Sequence, residues 1–129
     1  MGGGGFSDAA LSAASRAAFA ASAVALLREH ALDGLDLDWE YPGQSTAGIK
    51  SRPEDKQNFT LLLAAVRQQL DRASTRGRDF LLTIASAHGR YFDHTEMDKL
   101  HVHLDWINVM TYDFVTGSAP NHRSSHWLV

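Results

Sequence analysis

In Leu35-Asp36-Leu37-Asp38-Trp39-Glu40-Tyr41, introduced by Leu32-Asp33-Gly34, carboxylates stand at every second position with Leu35, Leu37 and Trp39 between them. A β-strand sends alternate side chains to opposite faces, so Asp36, Asp38 and Glu40 line one face and the three apolar residues line the other. A helix scatters them, because residues two apart diverge by about 200° around its axis. On one face of a strand, successive carboxylates lie about 6 to 7 Å apart at the backbone, near enough to share a proton or couple through one water. Three cannot all carry charge cheaply, so crowding and partial burial favour a protonated member able to donate near neutral pH. An acid beside two anionic or hydrogen-bonding partners suits glycoside hydrolysis, in which charge builds on a leaving oxygen and on a sugar carbon.

Two plainer readings compete. A solvated acidic strand edge fits poorly with the bulky apolar opposite face. Oxygen ligands at alternate positions suit a calcium or magnesium ion, but no Asp/Asn/Gly calcium loop accompanies them. Seven histidines, among them His101, His103, His122 and His126, raise the question of zinc. Pairs of ligands do not make a zinc site, which needs three or four with oriented outer partners, so no metal is expected.

The elements around the acidic strand follow from periodicity. From Ser15 to His30, Phe19, Ala23, Leu26 and Leu27 recur at helical spacing, with Ser12 or Ser15 as N-cap. Gly34, at the entry to the strand, permits a close backbone approach. Pro42-Gly43 ends it, and a polar loop runs to about Glu54. A helix over 53–72 presents Phe59, Leu62, Leu63, Val66 and Leu70 as one stripe, with Pro53, Glu54 and Asp55 suited to its first turn. Phe80 to Ser86 is a continuous apolar run of the length of a buried parallel strand. A short helix near Thr95 to Leu100 precedes a third strand over Trp106 to Tyr112. This alternation of helix and strand predicts an α/β fold with a parallel sheet under helices, and pattern alone leaves a doubly wound sheet and a closed barrel open.

A chain of 129 residues with 44% hydrophobic and 21% charged residues has the composition of one globular domain. Its net charge of -3 gives no basic footprint for nucleic acid and no polybasic membrane patch. With no cysteine, disulfides, thiolate catalysis and Cys-based zinc sites are excluded. Met1 and the four glycines after it lack a basic n-region, and Arg16 and Arg28 interrupt the alanine-rich run, so neither a signal peptide nor a membrane span is read here.

Asp33-Gly34-Leu35-Asp36-Leu37-Asp38-Trp39-Glu40 resembles the D-G-x-D-x-D-W-E signature of glycoside hydrolase family 18, the chitinases and their relatives. Val109-Met110-Thr111-Tyr112-Asp113-Phe114 is similar to the segment that closes the sixth strand in bacterial chitinases of that family. By composition Gly2 to Gly5 reads as a flexible linker, whereas the resemblance offers Gly3-Gly4-Gly5-Phe6 as the final turn of a third strand. The resemblance covers about residues 3–117 and leaves 118–129, with Trp127, unassigned. It implies part of the catalytic domain: a fragment of a (β/α)8 barrel, from about the end of strand three to strand six, with the site at the strands' C-terminal ends.

The resemblance further implies substrate-assisted, retaining hydrolysis of β-1,4 linkages in chitin, with no cofactor. Glu40 would be the general acid, Asp38 would orient the acetamido group, and Asp36 would hold or share a proton with Asp38. Tyr112, Asp113, Met110 and Tyr41 would bind the sugar. Alternatives are an endo-β-N-acetylglucosaminidase, a sugar-binding chitinase-like protein and a non-functional fragment. The full-length family member is expected to be extracellular, and a barrel segment of this extent is expected to self-associate through open sheet edges.

Overall fold

The computed structural model describes residues 4–45 and 48–112. In chain order these form α1 (Gly4–Ala10), α2 (Ala13–Glu29), β1 (Gly34–Leu37), α3 (Asp55–Ala73), β2 (Leu81–Ser86), the short helices α4 (Arg90–Asp93) and α5 (Met97–Leu100), a 3-10 turn (His101–His103) and β3 (Trp106–Val109). The strands form one parallel sheet in the order β1-β2-β3. This is the α/β arrangement expected from the alternation.

The helices begin and bury where their sequences direct. Ser12 caps α2: its hydroxyl accepts from the Ser15 backbone N–H at 3.1 Å, and the Ser12 backbone N–H donates to the Ser15 hydroxyl at 2.9 Å. The buried face of α2 is narrow, formed by Ala20, Ala23 and Leu27; Leu26 falls one position off that stripe and is exposed. Along α3, Phe59, Leu62, Leu63, Val66 and Leu70 are fully buried, at the spacing of one helical face. Between α1 and α3 sits Trp39, 1% exposed, stacked on Phe6 with ring centroids 5.6 Å apart and meeting Phe59 edge-on at 5.3 Å.

That packing explains a departure from the sequence reading. Gly4, Gly5 and Phe6 belong to a helix rather than to a linker or the last turn of a strand. Glycine is a poor helix former, and here the helix is held by tertiary contacts: Phe6 packs on Trp39 and Phe19, and the Ser7 hydroxyl donates to Asp55 Oδ1 at 2.8 Å. Gly2 and Gly3 lie outside the described residues.

Asp55, expected to serve only as a first-turn acid of α3, is completely buried. Its second oxygen accepts the backbone N–H of Arg52 at 2.7 Å and that of Gly43 at 3.4 Å. Arg52 Nη1 also donates to Ser7 Oγ at 2.6 Å. One carboxylate therefore ties α1, the loop after β1 and the start of α3 together. At the surface beside it, Asp8 pairs with Lys50 and Arg52, and the hydrogen bonds from these two cations hold its carboxyl below the usual range.

At the opposite end of the sheet, Arg67 donates to the Phe80 carbonyl at 2.8 Å and pairs with Asp105, whose Oδ2 also accepts the Leu82 backbone N–H at 2.7 Å. The sheet is seated by Gly34, which pairs with Leu81. A Cβ at position 34 would lie 2.6 Å from both Leu81 Cβ and the Leu81 carbonyl oxygen, closer than real contacts allow, so glycine is required for the approach. Gly34→Ala is expected to lower stability by about 1 to 3 kcal/mol through overpacking against that backbone. A urea midpoint equal to that of the parent would refute this account.

Candidate active site

β1 is shorter than expected: regular pairing ends at Leu37, while Asp38, Trp39 and Glu40 continue beyond the ladder and the peptide bond between Glu40 and Tyr41 is cis. Alternation nevertheless persists through this segment. Leu37 and Trp39 are buried toward the helices, whereas Asp36 and Asp38 are exposed on the other face and Glu40 is half-buried. The three carboxylates thus emerge at the C-terminal end of a parallel strand, as the spacing predicts.

Asp36 is held across the sheet. Thr83, its register partner on β2, donates its hydroxyl to Asp36 Oδ1, and Asn108 on β3 donates its side-chain amide to the same oxygen at 3.0 Å. Neither residue was singled out from the sequence, because the contacts cross strands. Asn108 does share the period-two spacing of Met110 and Tyr112, which was the available signal.

Two tyrosines stand beside Asp38 and Glu40. Tyr91, 2% exposed, donates its hydroxyl to the Ala85 carbonyl at 3.2 Å and meets Tyr41 edge-on at 6.2 Å. Burial first, then the negative charge of Asp38, drives the Tyr91 phenol far above its ordinary value. The Tyr41 phenol is also raised, by burial and then by the neighbouring Glu40 carboxylate. Tyr41, Gln44, Ala87, His88 and Tyr91 line an open cavity of about 220 Å³ at this end of the sheet. Tyr41 was anticipated from the sequence; Tyr91, in a segment read only as polar, was not.

β3 also ends before the expected boundary, at Val109. The Met110 backbone N–H still donates to the Ser86 carbonyl at 2.8 Å, so the chain stays beside β2 for another residue. Met110 is half-buried, and Tyr112 is exposed and close enough to Tyr41 to act on its ionisation. Asp113, the remaining anticipated site residue, lies outside the described residues, as do Phe114, His122, His126 and Trp127. His101 and His103 occupy the 3-10 turn before β3, away from the carboxylates in sequence and at the other end of the strand.

The arrangement offers a half-buried carboxyl, two exposed carboxylates on one face, and neutral phenols kept protonated next to them. Such a set can donate a proton to a leaving group while stabilising positive charge nearby.

Over residues 1–126 the chain matches the family model described as Glycosyl hydrolases family 18, which extends past Gly117, where the motif resemblance stops. It is 54% identical over 112 residues to chitinase A1 of Niallia circulans, covering 84% of this chain and 16% of that protein. Among solved structures, a chitinase of Bacillus thuringiensis gives a TM-score of 0.84 at 56% identity, covering 88% of this chain and 19% of that one. A family 18 N-acetylglucosaminidase of Paenibacillus barengoltzii gives 0.81 at 50% identity, covering 87% and 34%. The chain spans no more than about a third of the length of these relatives.

Tyr91 provides a pH test of the site's packing. Its phenol ionises at about 10 in the unfolded chain and higher when folded, so its contribution to stability is intact below that pH and is lost as pH rises beyond it. Tyr91→Phe should cost about 1 kcal/mol at pH 8, from the lost bond to Ala85, and the deficit should shrink or reverse by pH 11. Urea unfolding of both proteins across that range measures it; a constant difference would contradict the burial of the phenol.

Proposed function

This chain belongs to glycosyl hydrolase family 18, and on that premise we propose that it forms the acid-bearing part of a (β/α)8 catalytic domain that hydrolyses β-1,4 linkages between N-acetylglucosamine units of chitin. The observation that carries the reading is the placement of Asp36, Asp38 and Glu40 on one open face at the C-terminal end of a parallel strand, where barrel enzymes keep their chemistry.

In this reading Glu40 protonates the glycosidic oxygen as the bond from it to the anomeric carbon breaks. The carbonyl oxygen of the sugar's own acetamido group forms the replacing bond to that carbon, giving an oxazolinium intermediate with no carboxylate nucleophile from the protein. Asp38 orients the acetamido group and offsets the positive charge on it. Asp36 shares a proton with Asp38. Water then attacks the anomeric carbon as the bond from that carbon to the acetamido oxygen breaks, regenerating the acetamido group, and the water gives one proton to the Glu40 carboxylate, restoring the acid. Tyr41, Met110, Tyr112 and Asp113 are the proposed sugar contacts, with the exposed Tyr112 ring available for stacking. A polymeric substrate of this kind also supports an extracellular place of action. Among the described residues no helix is long and apolar enough to cross a membrane.

In the complete catalytic domain, Glu40→Gln keeps the shape of the side chain but removes its transferable proton. Turnover of a chitin oligomer should fall about 10²- to 10⁴-fold, with oligosaccharide binding largely kept. The same assay should detect no cleavage of fully deacetylated chitosan by the parent. Near-parental turnover in the variant would remove Glu40 from its role, and equal rates on the two polymers would replace the acetamido nucleophile with a carboxylate.

The sheet also supports self-association of this chain. Among the described residues β1 and β3 are its edges, and Trp106, Val109 and Tyr112 on or beside β3 are 50%, 54% and 61% exposed. Size-exclusion chromatography of the 129-residue chain is expected to show oligomers. A monodisperse monomer would overturn the proposal.

A further inference from the structure

Both hydrogen bonds to Asp36 converge on one of its oxygens. Thr83 from β2 and Asn108 from β3 donate to Oδ1, so the lone pairs of that atom are occupied from two strands. The orientation of the Asn108 amide is itself fixed: Trp106 Nε1 donates to Asn108 Oδ1 at 3.0 Å. An amide accepts at its oxygen and donates at its nitrogen, so an indole N–H bound to the oxygen turns the NH₂ group toward Asp36. Trp106 and Asn108 stand two residues apart on β3, and the bond from Asn108 to Asp36 shows that they share the face of the carboxylates.

We infer that Trp106 and Asn108 form a positioning relay for the reaction proposed above, an inference that rests on that reading. Neither residue reaches the reacting atoms. By fixing the amide and filling Asp36 Oδ1, they leave Oδ2 as the oxygen that can carry a proton or meet Asp38. A carboxyl free to rotate offers either oxygen to its neighbour and spends part of its time turned away. One held from two strands does not. Because each bond in such a chain polarises the next, the indole N–H also registers the state of the carboxyl two bonds away. A purely structural cross-strand bond would join β1 to β3 without needing the amide to be oriented or the indole to be coupled to Asp36.

The test uses the chain labelled with ¹⁵N at its indole and side-chain amide groups, observed by solution or magic-angle-spinning NMR according to its state of association. Trp106→Phe identifies the Trp106 signal among the three tryptophans. Asp36→Asn is expected to shift the Asn108 amide and, through it, the Trp106 indole N–H, while Asp33→Asn leaves both in place. In the complete catalytic domain, assayed on a fluorogenic chitobioside, Trp106→Phe is expected to lower kcat up to about 10-fold with KM within about 2-fold, the scale of one hydrogen bond felt during the chemical step. An indole signal unmoved by Asp36→Asn, or unchanged kcat in folded Trp106→Phe, would overturn the relay. If Trp106→Phe fails to fold, the Asp36→Asn comparison decides alone, with the Trp106 signal assigned through Trp39→Phe and Trp127→Phe. Coupled signals together with a complete catalytic domain that shows no turnover would sink the chitinase reading instead, so the two failures are distinguishable.

Discussion

The approach of Gly34 to Leu81 sets the register from which the rest of the sheet follows. With Gly34 opposite Leu81, Asp36 falls opposite Thr83 and Leu37 opposite Ile84. A slip of one residue would turn the carboxylates into the helix layer and push Leu37 and Trp39 onto the open face. Burial of Trp39 between Phe6 and Phe59 and exposure of Asp38 are therefore a single condition on the strand, met or lost together. The apolar side resists any slip that the polar side alone would tolerate.

On the polar side, the groups that meet the carboxylates are largely uncharged. Thr83 and Asn108 donate to Asp36, and Tyr41 and Tyr91 lie within the fields of Glu40 and Asp38. Lysine or arginine in those places would bind the carboxylates as ion pairs, whereas the hydroxyl and amide donors orient them without adding a cation to the site. The cations are kept to other tasks: Arg52 and Lys50 serve Asp8, and Arg67 serves the far end of the sheet.

What could be read from the sequence was whatever lies within one element. The acidic alternation, the α3 stripe, the apolar run of β2 and the Ser12 cap each depend on neighbours a few residues apart, and each appears in the structure. Helix α1 was not legible, because its glycines argue against any helix and its stability comes from Phe6 and Ser7 meeting residues more than thirty positions away. Asp55 had the sequence of a solvated helix start, and only the return of Ser7 and the loop backbone makes it a buried anchor. Thr83 and Asn108 were missed for the same reason: pairing between strands is decided by register, which no local pattern encodes. The ends of β1 and β3 were overestimated because alternation outlasts ladder pairing, as Trp39 and Met110 illustrate.

Asp55 also defines how much chain the acid needs around it. Its carboxylate receives the Ser7 hydroxyl on one side and the backbone of the segment that follows Glu40 on the other. A version trimmed to begin at β1 would keep the whole acidic motif yet leave a buried anion short of a donor, and the loop next to the acid would lose its fixed point. The smallest transplantable unit for grafting this acid onto another barrel therefore starts with α1, about thirty residues before the motif that a designer would cut out.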